Sequence, residues 1–303
     1  MRSTLFELRG VSYTYTNGTV ALENVTFKIF EGENVAILGP NGGGKSTLLM
    51  IMDGLLEPTE GEVYFRGRKV DPKDEKFMFE MRKRVGMVFQ DPDVALFSST
   101  VWEDIIFGPL HMRLPREEVI RRGEWALRTL GIEHLKDRPP FQLSEGEKKK
   151  AAIASVLSID PEVLLLDEPF INLDLRSQER LLALLREMSR SGKTLILATH
   201  DVNIVPLLAD RVILLNKTVI ADGSVREIFS RPELLKSANI RPPLVAVLFT
   251  ELMKRNLVGD GVRVPLTVEE AVSAIVKMFD SKDKITKRSS PGRFSGLQDD
   301  SEH

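Results

Sequence analysis

Gly39-Pro40-Asn41-Gly42-Gly43-Gly44-Lys45-Ser46-Thr47 decides the fold, because these are the residues needed to wrap a nucleoside triphosphate. The stretch satisfies G-x-x-x-x-G-K-[ST] and has the context that pattern requires. Before it, Asn34-Val35-Ala36-Ile37-Leu38 is an apolar run of strand length; after it, Ser46-Thr47-Leu48-Leu49-Met50-Ile51-Met52 opens as a helix. The glycines let successive backbone N–H groups turn inward on phosphate, and the helix N-terminus adds the positive end of its dipole. Lys45 is then expected to reach the β- and γ-phosphates and the Ser46 hydroxyl to hold Mg²⁺.

The rest of the composition is that of an ordinary soluble chain. Its 303 residues are 42% hydrophobic and 28% charged, with a net charge of −2. With no basic bias, a nucleic-acid partner is not expected. Cysteine is absent, which excludes disulfides, thiolate metal sites and cysteine nucleophiles, and fits a reducing compartment. Met1 to Gly10 alternates apolar and polar residues as a strand does, not as a signal peptide. The longest apolar runs, Val163-Leu164-Leu165-Leu166 and Val212-Ile213-Leu214-Leu215, fall far short of a bilayer span, so a membrane role is expected to be peripheral.

Along the chain, residues 4–66 read mainly as short strands, and roughly 101–160 as helices, with 117–130 the clearest amphipathic piece. Buried strands return at 163–166, 194–199 and 212–215, with a helix at 177–188 between the first two. Strand, helix, strand in that order predicts a parallel α/β sheet. After Arg231-Pro232 the composition shifts toward a small helical appendage closing at 268–278. Residues 281–303 lack periodicity and read as a disordered tail.

Two further groups belong with the phosphate loop. Leu164-Leu165-Leu166-Asp167-Glu168 is an apolar strand ending in two carboxylates. Such a strand brings Asp167 to the sheet edge to complete the Mg²⁺ shell and Glu168 to polarise an attacking water. His200 ends the next buried strand and reaches the same edge, for a hydrogen bond to the γ-phosphate or to that water.

Leu143-Ser144-Glu145-Gly146-Glu147, followed by the basic triplet Lys148-Lys149-Lys150, resembles the signature of ABC-type ATPases. The triplet by itself could be a solvated helix face, a reading that its position shortly before Asp167-Glu168, with a helix between, argues against. The resemblance implies an α/β P-loop cassette with a parallel-sheet core, an antiparallel β subdomain and a helical signature subdomain at about 95–160. It places the ATPase domain at 1–232, a C-terminal helical extension at 233–280 and the tail at 281–303. It also implies ATP as the nucleotide, bound by Gly39, Pro40, Asn41, Gly42, Gly43, Gly44, Lys45, Ser46 and Thr47, with Ser144 and Gly146 capping the γ-phosphate held by a second subunit. Glu145 and Glu147 depart from the family's usual glycine and glutamine. Tyr15 resembles the aromatic that stacks on adenine, with Tyr13 the competing choice. Gln90 resembles the glutamine that joins Mg²⁺ (with Ser46 and Asp167) to the membrane partner, and Ile171-Asn172-Leu173-Asp174 the loop that communicates across the dimer.

Arg82 to Asp93 running into Leu96-Phe97 and 100–109, together with 232–241 and 266–271, is similar to the ATP-binding subunits of energy-coupling factor transporters, especially the cobalt/nickel type. That resemblance implies a transport ATPase on the cytoplasmic face of the membrane. Its partners would be a second ATPase, identical or not, a transmembrane energy-coupling subunit and a substrate-binding membrane subunit. A regulatory cassette with weak or no hydrolysis is the alternative that Glu145 suggests and that Glu168 and His200 oppose. Phe77, Met78, Phe79 and Met81 would line a groove for the membrane subunit or pack into the local core.

Overall fold

The alternating residues at the start of the chain form longer strands than their short apolar runs suggest. In the computed structural model, which describes residues 3–258 and 262–288, β1 (Thr4–Thr14) and β2 (Val20–Phe30) pair antiparallel. After β3 (Asn34–Leu38), β4 (Glu60–Phe65) pairs with β1 and β5 (Arg68–Lys69) with β4, giving a four-stranded sheet in the order β2-β1-β4-β5. The second sheet collects β3, β6 (Val85–Val88), β7 (Val163–Asp167), β8 (Thr194–Thr199), β9 (Arg211–Asn216) and β10 (Thr218–Ser224) in the order β10-β9-β3-β8-β7-β6. Its neighbours run parallel except in the β9–β10 hairpin.

Period two divides these buried strands between two cores. Val163 and Leu165 of β7 face the core shared with the first sheet, α1 (Lys45–Met52) and α2 (Glu75–Arg82). Leu164 and Leu166 face the opposite core, which α3 (Val101–His111), α4 (Arg116–Leu130), α5 (Glu145–Leu157) and α6 (Leu175–Arg190) complete. Such two-sided burial is why β7 reads as a continuous apolar run. Phe77, Met78 and Met81 of α2 pack into the first core, and Phe79 stays exposed under the Lys83 ammonium, 4.3 Å from its ring centroid.

The parallel order brings four strand ends to one edge. Leu38 lies opposite Thr199, Asp167 opposite Ala198, and Val88 opposite Leu166. The phosphate loop, His200, Asp167-Glu168 and Gln90 therefore follow neighbouring strands β3, β8, β7 and β6.

Two boundaries differ from those expected. The chain divides into compact units at Pro242/Pro243 rather than after residue 232. After the short α7 (Val205–Leu208) and α8 (Val225–Phe229), α9 (Pro232–Ser237) packs against α8 and β10 and so belongs to the first unit. The second unit holds α10 (Leu244–Lys254) and α11 (Val268–Arg288), with a small core around buried Phe249, Val258 and Ala271. Helix α11 runs on to Arg288, past the expected start of the tail at 281; residues 289–303 lie outside the described residues. Among the described residues no helix is long and apolar enough to cross a membrane.

At Gly44 the phosphate loop has a left-handed φ of 91°, and a Cβ there would run into the Ala21 carbonyl oxygen and come within 2.7 Å of Leu22 Cδ2. β2 of the first sheet thus presses directly on the loop. Gly44→Ala is expected to cost about 2 kcal/mol or more in backbone strain and displaced β2. A thermal melt should show a lowered Tm and nucleotide titration a weakened complex; an unchanged Tm would show that β2 yields freely.

Candidate functional site

The loop between β3 and α1 is shaped by what presses on it. A Cβ at Gly39 would collide with the Leu215 carbonyl of β9, so only glycine lets the loop lie this close to the sheet. The Gly43 carbonyl accepts from Lys217 N at 2.9 Å. Lys45 is almost fully buried, and its Nζ donates to the carbonyls of Gly39 at 2.9 Å and Pro40 at 3.1 Å, which fixes the ammonium over the loop. Burial pushes the Lys45 pKa down, and the nearby charges of Glu168 and Asp167 oppose that shift.

A cavity of about 510 Å³ opens along this loop, lined by residues 41–47 together with Tyr15, Gln90 and Lys217. Tyr15 takes the place on the cavity wall. Its hydroxyl is 2.8 Å from Thr47 Oγ1, and its ring meets Tyr13 edge-on at 5.0 Å, whereas Tyr13 packs against the core. Lys217 is a site residue that sequence reasoning missed. It holds a left-handed φ of 63° in the β9–β10 turn, its N–H braces the loop, and it lines the cavity. Its only sequence signal was a lysine between two strands.

The carboxylates stand where β7 ends. Glu168 is buried with a strained φ of 43°. Its Oε1 accepts from His200 N at 3.0 Å and meets His200 Nδ1 at 2.6 Å; its Oε2 accepts from Thr199 Oγ1 at 3.0 Å, and Lys45 Nζ stands 3.7 Å from Oε1. The His200 ring remains half-exposed, with Nε2 the ring nitrogen left for another partner. Burial raises the Asp167 pKa; the Ser46 hydroxyl, hydrogen-bonded to this carboxylate, lowers it, and the Glu168 charge raises it further. Asp167 Oδ1 is buried without a hydrogen-bond partner. An unpartnered buried carboxylate oxygen beside a serine hydroxyl at the phosphate loop is the oxygen donor set that suits Mg²⁺.

The signature residues begin α5. Ser144 is the helix N-cap, and Glu147 completes a capping box: Ser144 N donates to Glu147 Oε2 at 2.9 Å, and Glu147 N to Ser144 Oγ at 3.4 Å. A Cβ on Gly146 would sit 2.8 Å from the Asn172 carbonyl, so the signature packs tightly on the segment after Glu168. Glu145 is largely exposed and pairs with Lys148 at 3.5 Å. Lys148 also meets Asp93 at 2.9 Å. Lys149 is only 1% exposed, and its Nζ donates to the carbonyls of Phe89 at 2.8 Å and Gln90 at 2.9 Å. Burial lowers its pKa to about 8 against the charges of Asp167, Glu168 and Asp91. Gln90 lines both the loop cavity and a second one of about 560 Å³ that reaches Asp167, Glu145 and Asp93. Ser144 is not among the residues lining the loop cavity.

The structure thus joins Lys45, Ser46, Gln90, Asp167, Glu168 and His200 at one sheet edge and holds Ser144 apart from them. Known proteins share much of this sequence. The ABC transporter family matches residues 22–171. The energy-coupling factor transporter ATP-binding protein EcfA of Methanocaldococcus jannaschii is 42% identical over 253 residues, 83% of this chain and 90% of that protein. EcfA of Methanothermobacter thermautotrophicus is 43% identical over 277 residues, 91% of this chain and 88% of its own. Among solved structures, cbiO1 of Clostridium perfringens, described as part of the ABC transporter complex cbiONQ, is 40% identical with a TM-score of 0.66, covering 83% of this chain and 99% of that one. An ATP-binding cassette solved as a dimer with ADP and phosphate is 33% identical with a TM-score of 0.68, over 73% of this chain and 99% of that one. Identity at this level across the cassette and beyond it means that the chain belongs to the ABC transporter ATP-binding proteins, in the energy-coupling factor group.

Proposed function

We propose that this chain is the ATP-hydrolysing subunit of an energy-coupling factor importer, docked on the cytoplasmic face of the membrane, whose cargo is cobalt, nickel or a vitamin. The observation that carries the hydrolytic part is the convergence of Lys45, Gln90, Asp167, Glu168 and His200 on the edge formed by four neighbouring strands. The names of the cbiO1 and EcfA relatives support the transporter class, and the resemblance of residues 82–109 to cobalt/nickel-type subunits is what suggests the cargo.

In this reading Tyr15 stacks on adenine, residues 39–47 hold the phosphates, and Lys45 fixes the β- and γ-phosphate charge. Ser46 and Asp167 with Gln90 would hold Mg²⁺, which when bound would supply charge neutralisation on the phosphate oxygens. Glu168 accepts a proton from the attacking water. Thr199 and His200 hold its carboxylate in one orientation, and His200 Nε2 is left to face the γ-phosphate. Ser144 and Gly146 serve the nucleotide of a second ATPase subunit. Closure of that pair on ATP and reopening after hydrolysis form a switch driven by the γ-phosphate, passed to transmembrane energy-coupling and substrate-binding subunits.

Lys45→Ala is expected to abolish hydrolysis and weaken nucleotide binding, since the β- and γ-phosphate charge loses its fixed partner; wild-type turnover would overturn the phosphate-loop assignment. Glu168→Gln should bind Mg·ATP yet hydrolyse it very slowly. If the chain pairs with itself, size-exclusion chromatography should show this variant accumulating as a dimer with ATP; wild-type turnover would place the catalytic acid elsewhere.

Glu145 tests the alternative of a regulatory cassette. Its carboxylate is turned to Lys148 and solvent, so Glu145→Gly should change turnover by less than about tenfold, or ~1.4 kcal/mol. A much larger gain, measured as steady-state phosphate release, would mean that the native signature is impaired and that a second, non-identical ATPase supplies the competent one.

A further inference from the structure

Segment 89–93 is gripped by two consecutive lysines of one helix. Lys148 holds Asp93 from the surface at 2.9 Å. Lys149, one residue on, turns inward and donates to two successive carbonyls, Phe89 and Gln90. An ammonium that is 1% exposed and bonded to two carbonyl dipoles is a stiff joint, because releasing either bond leaves a charge short of donors' partners in a low-dielectric interior. The joint has two ends with different duties. One end is α5, whose first turn carries Ser144 and Gly146. The other is the backbone of Gln90, whose side chain lines both the loop cavity and the cavity that reaches Asp167.

We infer that Lys149 is a positioning residue that acts through Gln90: by holding the Phe89 and Gln90 carbonyls to α5, it sets where the Gln90 side chain stands and makes that place depend on the position of the signature helix. The inference rests on the paired-cassette reading above. A subunit whose α5 engages its partner's nucleotide thereby adjusts Gln90 at its own, so the two nucleotide sites are coupled through one side chain. Hydrolysis should then be cooperative in ATP, and the cooperativity should pass through Lys149.

The test is a double-mutant cycle on the full chain with Lys149→Met, which keeps the length and the packing but removes the donors, and Gln90→Ala. Lys149→Met should leave the Kd for ATP within about threefold of wild type, lower kcat by about tenfold or more, and bring the Hill coefficient for ATP toward 1. The double variant should fall to the kcat of Gln90→Ala alone, within about twofold, because both changes disable the same element. Multiplicative losses, or wild-type cooperativity in Lys149→Met, would show a merely structural lysine and overturn the inference. Should Lys149→Met be insoluble, Lys149→Gln, which keeps one amide donor, runs through the same cycle with the same decision. A wild-type chain that hydrolyses no ATP would overturn the functional reading and this inference together; wild-type turnover with additive variants overturns this inference alone.

Discussion

Two lysines and two carboxylates are buried side by side at the end of the central sheet, and the site is arranged around keeping them there. Lys45, Lys149, Asp167 and Glu168 are each at most 6% exposed. Taking such ions out of water costs several kcal/mol apiece unless each finds charge and hydrogen bonds inside. Here the charges balance, and most of the remaining bonds come from the backbone. Lys45 uses the Gly39 and Pro40 carbonyls, Lys149 those of Phe89 and Gln90, and Glu168 the His200 N–H and the Thr199 hydroxyl. Only parallel strands ending in register present so many backbone groups and side chains to one point. The exception is Asp167 Oδ1, which lacks a partner and so marks the place where a cation is best received.

How much of this was legible in the sequence follows from what each residue does locally. The phosphate loop requires specific residues at fixed spacing, so Gly39, Lys45 and Ser46 announce themselves. Asp167, Glu168 and His200 were legible because an apolar run of strand length ends on each, and the parallel order does the rest. The signature needed a family resemblance, since Ser144 does not line the loop cavity. The capping box of Ser144 and Glu147 went unread, although the two stand at the spacing of that motif ahead of a helix.

Other features depended on tertiary contacts that no local pattern encodes. Lys149 sits in a basic triplet and reads as a solvated helix face, yet it is the middle lysine that turns inward, because position 149 on α5 faces the end of β6. Lys217 gave no signal, since its role comes from the backbone of a turn. Where the compact units divide depends on such contacts too. Arg231-Pro232 changes the composition, but α9 packs back onto α8 and β10, and the division falls at the Pro242-Pro243 pair. Phe77, Met78 and Met81 went to the core and Phe79 to the surface, as helical periodicity divides any such cluster.

The acidic signature is best understood as a shift of charge within the first turn of α5. Helix N-termini favour anions by about 0.3–1 kcal/mol each, so Glu145 and Glu147 stabilise the helix that carries them. The same two charges reduce the positive potential that a phosphate would meet there. Lys148 offsets Glu145 directly, and Lys150 lies near enough to lower the pKa of both Glu147 and Asp174. Glu147 has a second effect. Its Oε2 accepts the Ser144 hydroxyl at 2.8 Å as well as the Ser144 N–H. For Ser144 to donate to a phosphate on a partner subunit, its hydroxyl proton must leave Glu147, while the N–H bond can stay. A glutamine at 147 offers a neutral acceptor and releases that proton more readily, since bonds to ionised acceptors are roughly twice as strong as neutral ones. Glu147 thus stabilises α5 and, in the paired-cassette reading proposed above, raises the free energy of engaging a partner's nucleotide.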